Sequence, residues 1–421
     1  LLVFDRDLTP LEVATAGGFE VPTSEAARFE HYLLRQDEPY RAALKELHDL
    51  GTAENDLVSK VRQVMVMKEL PEPRPTHVLR RGAYDAPGEI VGPGTPASIL
   101  PFPDDVPRNR LGLARWLVDD RNPLTSRVTV NRFWQMFFGR GLVVTAEDFG
   151  SQGQPPTHPE LLDWLARHFM ESGWNVKELC RLVVQSATYR QSTVPCDAKL
   201  YAEDPDNRLL GRGPRYRLPA EQVRDNALAV SGLLVGKIGG PSVMPYQPAG
   251  LWEESGTGKT YAQSHGEGLY RRSLYTFWRR TSPPPSMTTF DATSREVCIA
   301  RREQTSSPLQ ALVLLNDPQF VEAARVLAEK LIKQEGSTVE SRLETAFRLL
   351  TSRRPSEKER EVLLKLYHDQ REHFAKAPDE AKTLLSFGET PRDEKLDTTE
   401  LAATAMVVRL LFNFDECVTK R

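Results

Sequence analysis

The sequence predicts a mainly α protein: a multi-helix globular fold with a few short β-strands and long, ordered loops rich in proline and glycine. Three observations carry this expectation. Apolar residues recur at the helical period through much of the chain, most densely in its second half. Helix start and stop residues flank those runs. The 421 residues include 31 prolines and 26 glycines, gathered largely between the periodic segments.

A chain of 421 residues exceeds the size at which one hydrophobic core usually stops growing, so two or more packed units are expected. With 40% hydrophobic and 27% charged residues the composition is globular rather than disordered. A formal net charge of -3 argues against binding a polyanion over the whole surface, so any such surface must be local, and a nucleic-acid partner is not expected. No run approaches the roughly 20 apolar residues of a membrane helix. The opening "LLVFDRDLTP" has neither a starting methionine nor the regions of a signal peptide, and reads as the interior of a longer protein.

Taken in order, residues 1–84 read as a helical and short-strand segment that joins an upstream domain. "SEAARFEHYLLRQ" and "EPYRAALKELHDLG" predict two amphipathic helices, the second ending at Gly51. "VMVMKEL" and "THVLRRG" then predict a hairpin around a proline-rich break. Residues 85–108 form a linker or wrapping arm that is neither helix nor central strand, because prolines interrupt both ladders.

Residues 109–421 read as a helical domain. In "TSRVTVNRFWQMFFGRG", Val130, Phe133, Trp134 and Phe137 share one face, and Gly139 supplies a stop. "THPELLDWLARHFMESG" offers Thr157 and Glu160 at capping-box spacing, and "NVKELCRLVVQSATYRQS" offers Asn175 and Glu178, with Val176, Leu179, Cys180, Val183 and Ala187 on one face. Pro219 opens a helix, "LPAEQVRDNALAVSGLLVG", that aligns Val223, Ala227, Val230 and Leu234. Residues 236–268 form a glycine-rich loop much longer than ordinary connections, which run to about 12–15 residues at most. Residues 269–307 are arginine-rich, and within them "SLYTFW" predicts a short buried strand. Residues 308–421 return to helices, starting from "SPLQ" as a capping box, with Asp317 capping the helix after it.

The chemistry-bearing residues concentrate in the loops of this second part. "GTGKT" at 256–260 resembles the tail of a phosphate-binding loop, but Glu253 stands where the leading glycine belongs, and strand and helix flanks are missing. The eight histidines are scattered without metal-ligand spacing, so no metal site is legible. Cys180, Cys196, Cys298 and Cys417 form neither a zinc nor a haem c motif, which leaves buried free thiols or a Cys180–Cys196 disulfide. No cofactor is expected in this chain.

From Leu269 to Arg302 seven arginines face only Asp291 and Glu296, with Tyr270, Tyr275, Phe277 and Trp278 interleaved. Such a mixture suits an anionic chain held by charge and ring contact. It equally suits buried aromatics whose arginines pair with acids elsewhere. The candidate binding residues are Arg271, Arg272, Arg295, Cys298, Arg301, Arg302, Trp278 and Trp252. "TSRE" at 293–296 has capping-box spacing, and a helical turn after it would align Arg295, Cys298 and Arg302. Asp291 and Glu296 form a candidate acid-base pair, with His265 contributing from the loop, and Cys298 beside arginines is a candidate nucleophile.

Four stretches, "NPLTSRVTVNRFWQMFFGRGLV", "EDFGSQGQPPTHPELLDWLA", "YRRSLYTFWRRTSPPPSMTTFDATSREVCIARREQTSSPLQALVLLNDPQFVEAAR" and "VVRLLFNFDECVT", closely resemble the planctomycete-type family called domain of unknown function 1553. The resemblance runs from about Asn109 to the C-terminus, and residues 1 to about 100 look like the tail of its usual upstream neighbour, domain of unknown function 1549. The resemblance implies an exported, extracytoplasmic, multidomain protein, often associated with a cytochrome c-like domain that lies outside this chain. It brings no established activity. Three readings stand: a binding or substrate-presenting module for an anionic polysaccharide or a protein partner; a hydrolase acting on a glycan or ester through Asp291 and Glu296; and a scaffold that docks a haem domain for electron transfer.

Overall fold

The computed structural model describes residues 7–194, 197–254, 256, 258–334 and 336–420. The protein is mainly α, as its helical periodicity predicts, with two small two-stranded sheets. It divides into two compact units, Leu1–Pro93 and Gly94–Arg421.

The first unit contains α1 (Pro10–Gly17), α2 (Glu25–Arg35), α3 (Glu38–Lys60) and a hairpin of β1 (Thr76–Leu79) with β2 (Pro87–Val91). Thr9 and Glu12 form a capping box at α1, and Glu12 also binds Arg35 at 2.8 Å, which ties α1 to α2. α2 and α3 bury no residue. Two expectations are corrected here. α3 runs through Gly51 to Lys60, because Gly51 does not take the left-handed backbone that ends a helix. The hairpin pairs "THVL" with "PGEIV", whereas "VMVMKEL" is extended and exposed. Pro87 is tolerated because it opens an edge strand.

The second unit has two apolar cores. The smaller is built by α5 (Thr125–Phe138), α6 (Pro159–Glu171) and α7 (Val176–Gln185), preceded by α4 (Arg110–Leu117). Val130, Trp134 and Phe138 of α5 meet Leu162, Leu165 and Phe169 of α6 and Leu179 and Val183 of α7; of the α5 face read from the sequence, Val130 and Trp134 are buried here, whereas Phe133 and Phe137 are only partly buried and Phe138 takes the inward place. Asn175 caps α7 as expected, accepting from the Glu178 N–H at 3.1 Å. At α6 the box fails: His158 occupies the cap position and Thr157 instead bonds the Leu142 carbonyl at 2.9 Å.

The larger core follows α8 (Ala198–Glu203) and β3 (Tyr216–Arg217). Its helices are α9 (Ala220–Ser231), α11 (Pro285–Thr289), α12 (Pro308–Asn316), α13 (Pro318–Ile332), α14 (Val339–Thr351), α15 (Glu357–Lys376), α16 (Pro378–Leu385), α17 (Thr398–Phe412) and α18 (Asp415–Val418), while the short helix α10 (Leu251–Glu254) and the strand β4 (Thr419–Lys420) contribute no residue to it. α13 and α17 form its central pair, with α9, α14, α15 and α16 packed around them. α13 is buried along most of its length, from Gln319 to Leu331, and Asp317 caps it through the Gln319 N–H at 3.0 Å. β4 returns the C-terminus to β3, directly before α9.

One local expectation between these cores also changes. "SLYTFW" is a 3₁₀ turn at Ser273–Tyr275 followed by an isolated bridge from Thr276 to Val243, and Leu274 is exposed. A strand needs a ladder, and here the neighbouring glycine-rich loop offers only single bridging residues. "GTGKT" follows the short helix α10 and leads into no helix, so the flanks of a phosphate-binding loop are absent among the described residues. No helix among the described residues is long and apolar enough to cross a membrane.

Candidate functional site

Between the two cores of the second unit lies an open cleft of about 580 Å³. One wall is the outer face of α5 with Arg132, Gln135 and Met136. The floor carries Tyr216 and the start of α9 with Glu221 and Gln222, and the other wall is the loop from Thr293 to Gln304. That loop is the centre of the arginine-rich segment, and its fixation explains why it stands out as a wall.

Its base is stapled. Asp291, itself in the left-handed region at φ 59°, accepts from the Thr305 N–H at 2.7 Å and the Thr305 hydroxyl at 2.8 Å. Gln310, nearly fully buried, donates through Nε2 to the Thr289 carbonyl at 3.0 Å and the Thr305 carbonyl at 3.2 Å. Its flanks are pinned by Trp278 Nε1 donating to the Ser294 carbonyl at 3.0 Å and by the Arg295 guanidinium stacked 4.7 Å from the Trp278 ring. Arg302 makes a forked pair with Glu221 at 2.7 and 3.0 Å. Burial pushes the Glu221 carboxyl up, but the Arg302 hydrogen bonds and the charges of Arg302 and Arg295 hold it below the usual range.

This geometry corrects two local readings. No helix follows "TSRE", because Arg295 takes the left-handed backbone, so Arg295, Cys298 and Arg302 do not share a helical face. "SPLQ" makes no side-chain cap either; Gln310 turns inward as the staple.

The sequence-selected residues scatter into three places. Arg295, Arg301 and Arg302 line the cleft together with Arg132, which periodicity marked only as part of a helix. Arg301 faces Glu147 at 3.4 Å with both groups about half exposed. Arg271 is elsewhere and buried. It donates to the carbonyls of Pro241 at 2.9 Å, Lys237 at 3.1 Å and Gly239, and stacks 3.7 Å from the Tyr275 ring, so it holds the glycine-rich loop. Its neighbour Arg272 is exposed. Trp252 is buried under Tyr261, Phe277 and the Arg279 guanidinium.

The three candidate catalytic groups are not brought together around the cleft. His265 reaches Glu389 at 3.2 Å, Asp291 holds Thr305, and Glu296 lies 3.7 Å from Arg280. Cys298 is an exposed free thiol, contrary to the burial expected for it; Cys180 is also free, and Cys417 is buried with its thiol pushed up to about 12. Cys196, weighed as a partner for Cys180, lies outside the described residues. No group of three or more His, Cys, Asp or Glu able to hold a metal occurs among the described residues.

Sequence reading missed a sealed polar cluster. Glu322 of α13, fully buried, accepts from the Tyr270 hydroxyl at 2.8 Å, the Tyr246 hydroxyl at 3.0 Å and the Thr390 N–H at 2.7 Å. Arg325 beside it binds Glu329 at 2.7 Å and the Thr390 carbonyl at 2.6 Å. Gly388 has φ 97°, and a Cβ there would lie 2.3 Å from the Glu322 carboxyl carbon. The cluster fastens the glycine-rich loop to α13 and to the segment before α17. Arg224 ties the start of the arginine-rich segment to α9 and α13, bonding Gln319 at 2.6 Å and the Leu269 and Arg271 carbonyls at 2.6 and 2.8 Å. Burial lowers its guanidinium to about 10.

A family model described as PSD1, protein of unknown function (DUF1553), matches residues 109–367. The match includes the whole cleft and stops short of the C-terminal helices that the resemblance had included. No curated protein matches the chain, and no solved structure does.

Proposed function

Because the chain belongs to the PSD1 family of proteins of unknown function (DUF1553), which carries no activity with it, we propose a function from the cleft itself: a non-catalytic binding module that holds an anionic polymer. The observation that carries this is the charge of the walls, where Arg132, Arg295, Arg301 and Arg302 stand against Glu221 in the lining and Glu147, which reaches Arg301 at 3.4 Å from beside it. Glu221 is already engaged by Arg302, so it neutralises only part of the field. Guanidinium groups pair with carboxylate or sulfate in a fixed fork, and the aliphatic side chains of Met136, Val297 and Ile299 offer apolar surface for the body of the ligand. The hydrolase alternative has less support: a glycosidase needs two carboxyl groups flanking the bond, and Asp291, Glu296 and His265 do not line this cleft. The setting outside the cytoplasm, within a larger cytochrome c-associated polypeptide, rests on the family resemblance alone.

Titration of the protein with a heparin-derived sulfated tetrasaccharide at low salt tests the reading. Replacing Arg132 and Arg301 together by alanine, which leaves the Arg302–Glu221 pair intact, is expected to weaken binding at least tenfold, as loss of two charge-assisted contacts worth about 1.5–3 kcal/mol each allows. Unchanged affinity in that variant would remove the cleft from consideration.

A further inference from the structure

Next to the cleft lies a smaller pocket of about 150 Å³, and the two share Gly139, Tyr216 and Gln304 in their linings. Its composition differs from that of the cleft. Trp134, Phe138 and Tyr216 supply aromatic surface, Gln304 supplies an amide, and Arg140, Arg208 and Arg215 add positive charge against Asp206, while the Asn207 amide is bonded to the Arg212 backbone. An aromatic surface under a rim of guanidinium groups suits a hydroxylated ring with an apolar C–H face and an acidic substituent. Trp134 and Phe138 are 6% and 7% exposed, so they leave little ring surface open and do not form the platforms on which nucleic-acid bases stack.

The rim is not fully satisfied internally. Arg140 reaches Asp206 through Nη1 at 3.0 Å, while its Nε is buried and has no acceptor among the described residues. Arg215 reaches Asp415 at 2.8 Å at a site where both groups are about half exposed. Arg208 is exposed at the pocket mouth. The partition between pocket and cleft is built in: a Cβ on Gly139 would come within 2.7 Å of the Tyr216 ring, so glycine there lets Tyr216 lie against the end of α5. The Tyr216 hydroxyl donates to the Met136 carbonyl at 2.7 Å, which holds the ring across the boundary.

We propose that this pocket is a second subsite, sized for one acidic sugar ring, and that the polymer bound in the cleft is a linear anionic glycan that extends past Tyr216 into it. The proposal rests on the cleft reading and specifies its ligand. Each additional acidic ring that reaches the pocket adds contacts to the Arg140–Arg208 rim, so affinity depends on chain length until both sites are filled.

The test is a length series of heparin-derived sulfated oligosaccharides, from di- to octasaccharide, titrated calorimetrically into the 421-residue protein and its Arg208→Ala and Arg140→Ala variants. The wild-type chain is expected to gain about tenfold in affinity as the oligosaccharide becomes long enough to span both sites. Arg208→Ala, at an exposed position, is expected to abolish that gain and leave the shortest ligand unaffected. A length gain that persists in both variants overturns the subsite while leaving the cleft reading in place. Absence of binding at every length overturns both. A glutamate-rich peptide that binds where the oligosaccharides do not, with its affinity lowered by Arg208→Ala, overturns the glycan assignment in favour of a protein segment.

Discussion

The same residue type does opposite work at adjacent positions. Arg271 and Arg272 are indistinguishable in sequence, yet one is buried and holds three loop carbonyls, whereas the other is exposed. Alanine at Arg271 is expected to cost about 2–4 kcal/mol, because the carbonyls of residues 237–241 lose their donor together with a stacked ring contact. Alanine at Arg272 is expected to stay within about 0.5 kcal/mol. Urea unfolding of the two variants checks this, and equal losses would contradict the clamp. Asp291 teaches the same lesson. Paired with Glu296 in the sequence, its carboxylate suggests acid-base chemistry, but its oxygens serve the Thr305 N–H and hydroxyl. Nothing in the spacing of the letters distinguishes a carboxylate that staples a loop from one that faces a substrate.

At the level of elements, stop and start signals were legible where the residue acts on its own backbone. Asn175 and Asp317 cap α7 and α13, and Gly139 ends α5 in the left-handed region. They failed where a neighbouring element competed for the same group, as Leu142 does for Thr157 and the Thr289 and Thr305 carbonyls do for Gln310. The start of α15 shows a cap reinforced by charge. Ser356 and Glu359 form the capping box, and Arg353 binds both Glu359 at 2.6 Å and Glu416 at 2.7 Å, linking α14, α15 and α18. The Arg353 hydrogen bonds, outweighing burial, lower Glu359 from 4.5 to about 2. A depressed carboxylate contributes stability above its unfolded value that is lost as pH falls through the folded one. Glu359→Gln keeps the box but removes the charge, so its melting temperature is expected to lie below wild type above pH 4.5 and to converge with it toward pH 2. A constant difference across that window would show that the pair contributes through shape rather than ionisation.

Across the whole molecule, burial is unevenly distributed. Thr9 and Ala14 are the buried residues of the first unit among those described, whereas the second unit holds both apolar cores and both pockets. A chain shortened to residues 94–421 is therefore expected to keep a cooperative thermal transition and the oligosaccharide affinity of the full chain, measured by calorimetry. Loss of either would mean that the first unit completes the fold or the site. The mainly α class followed from the sequence alone, because helical periodicity and backbone-directed caps are local properties that a linear reading captures. So did the family, through long contiguous motifs. The cleft did not follow, since it joins Arg132 of α5 to Glu221 of α9 and to Arg295, Arg301 and Arg302 of a loop. The arginines that face it were separated from those that hold the fold only by tertiary packing, which fixes whether a guanidinium meets backbone carbonyls in the interior or water at an open wall.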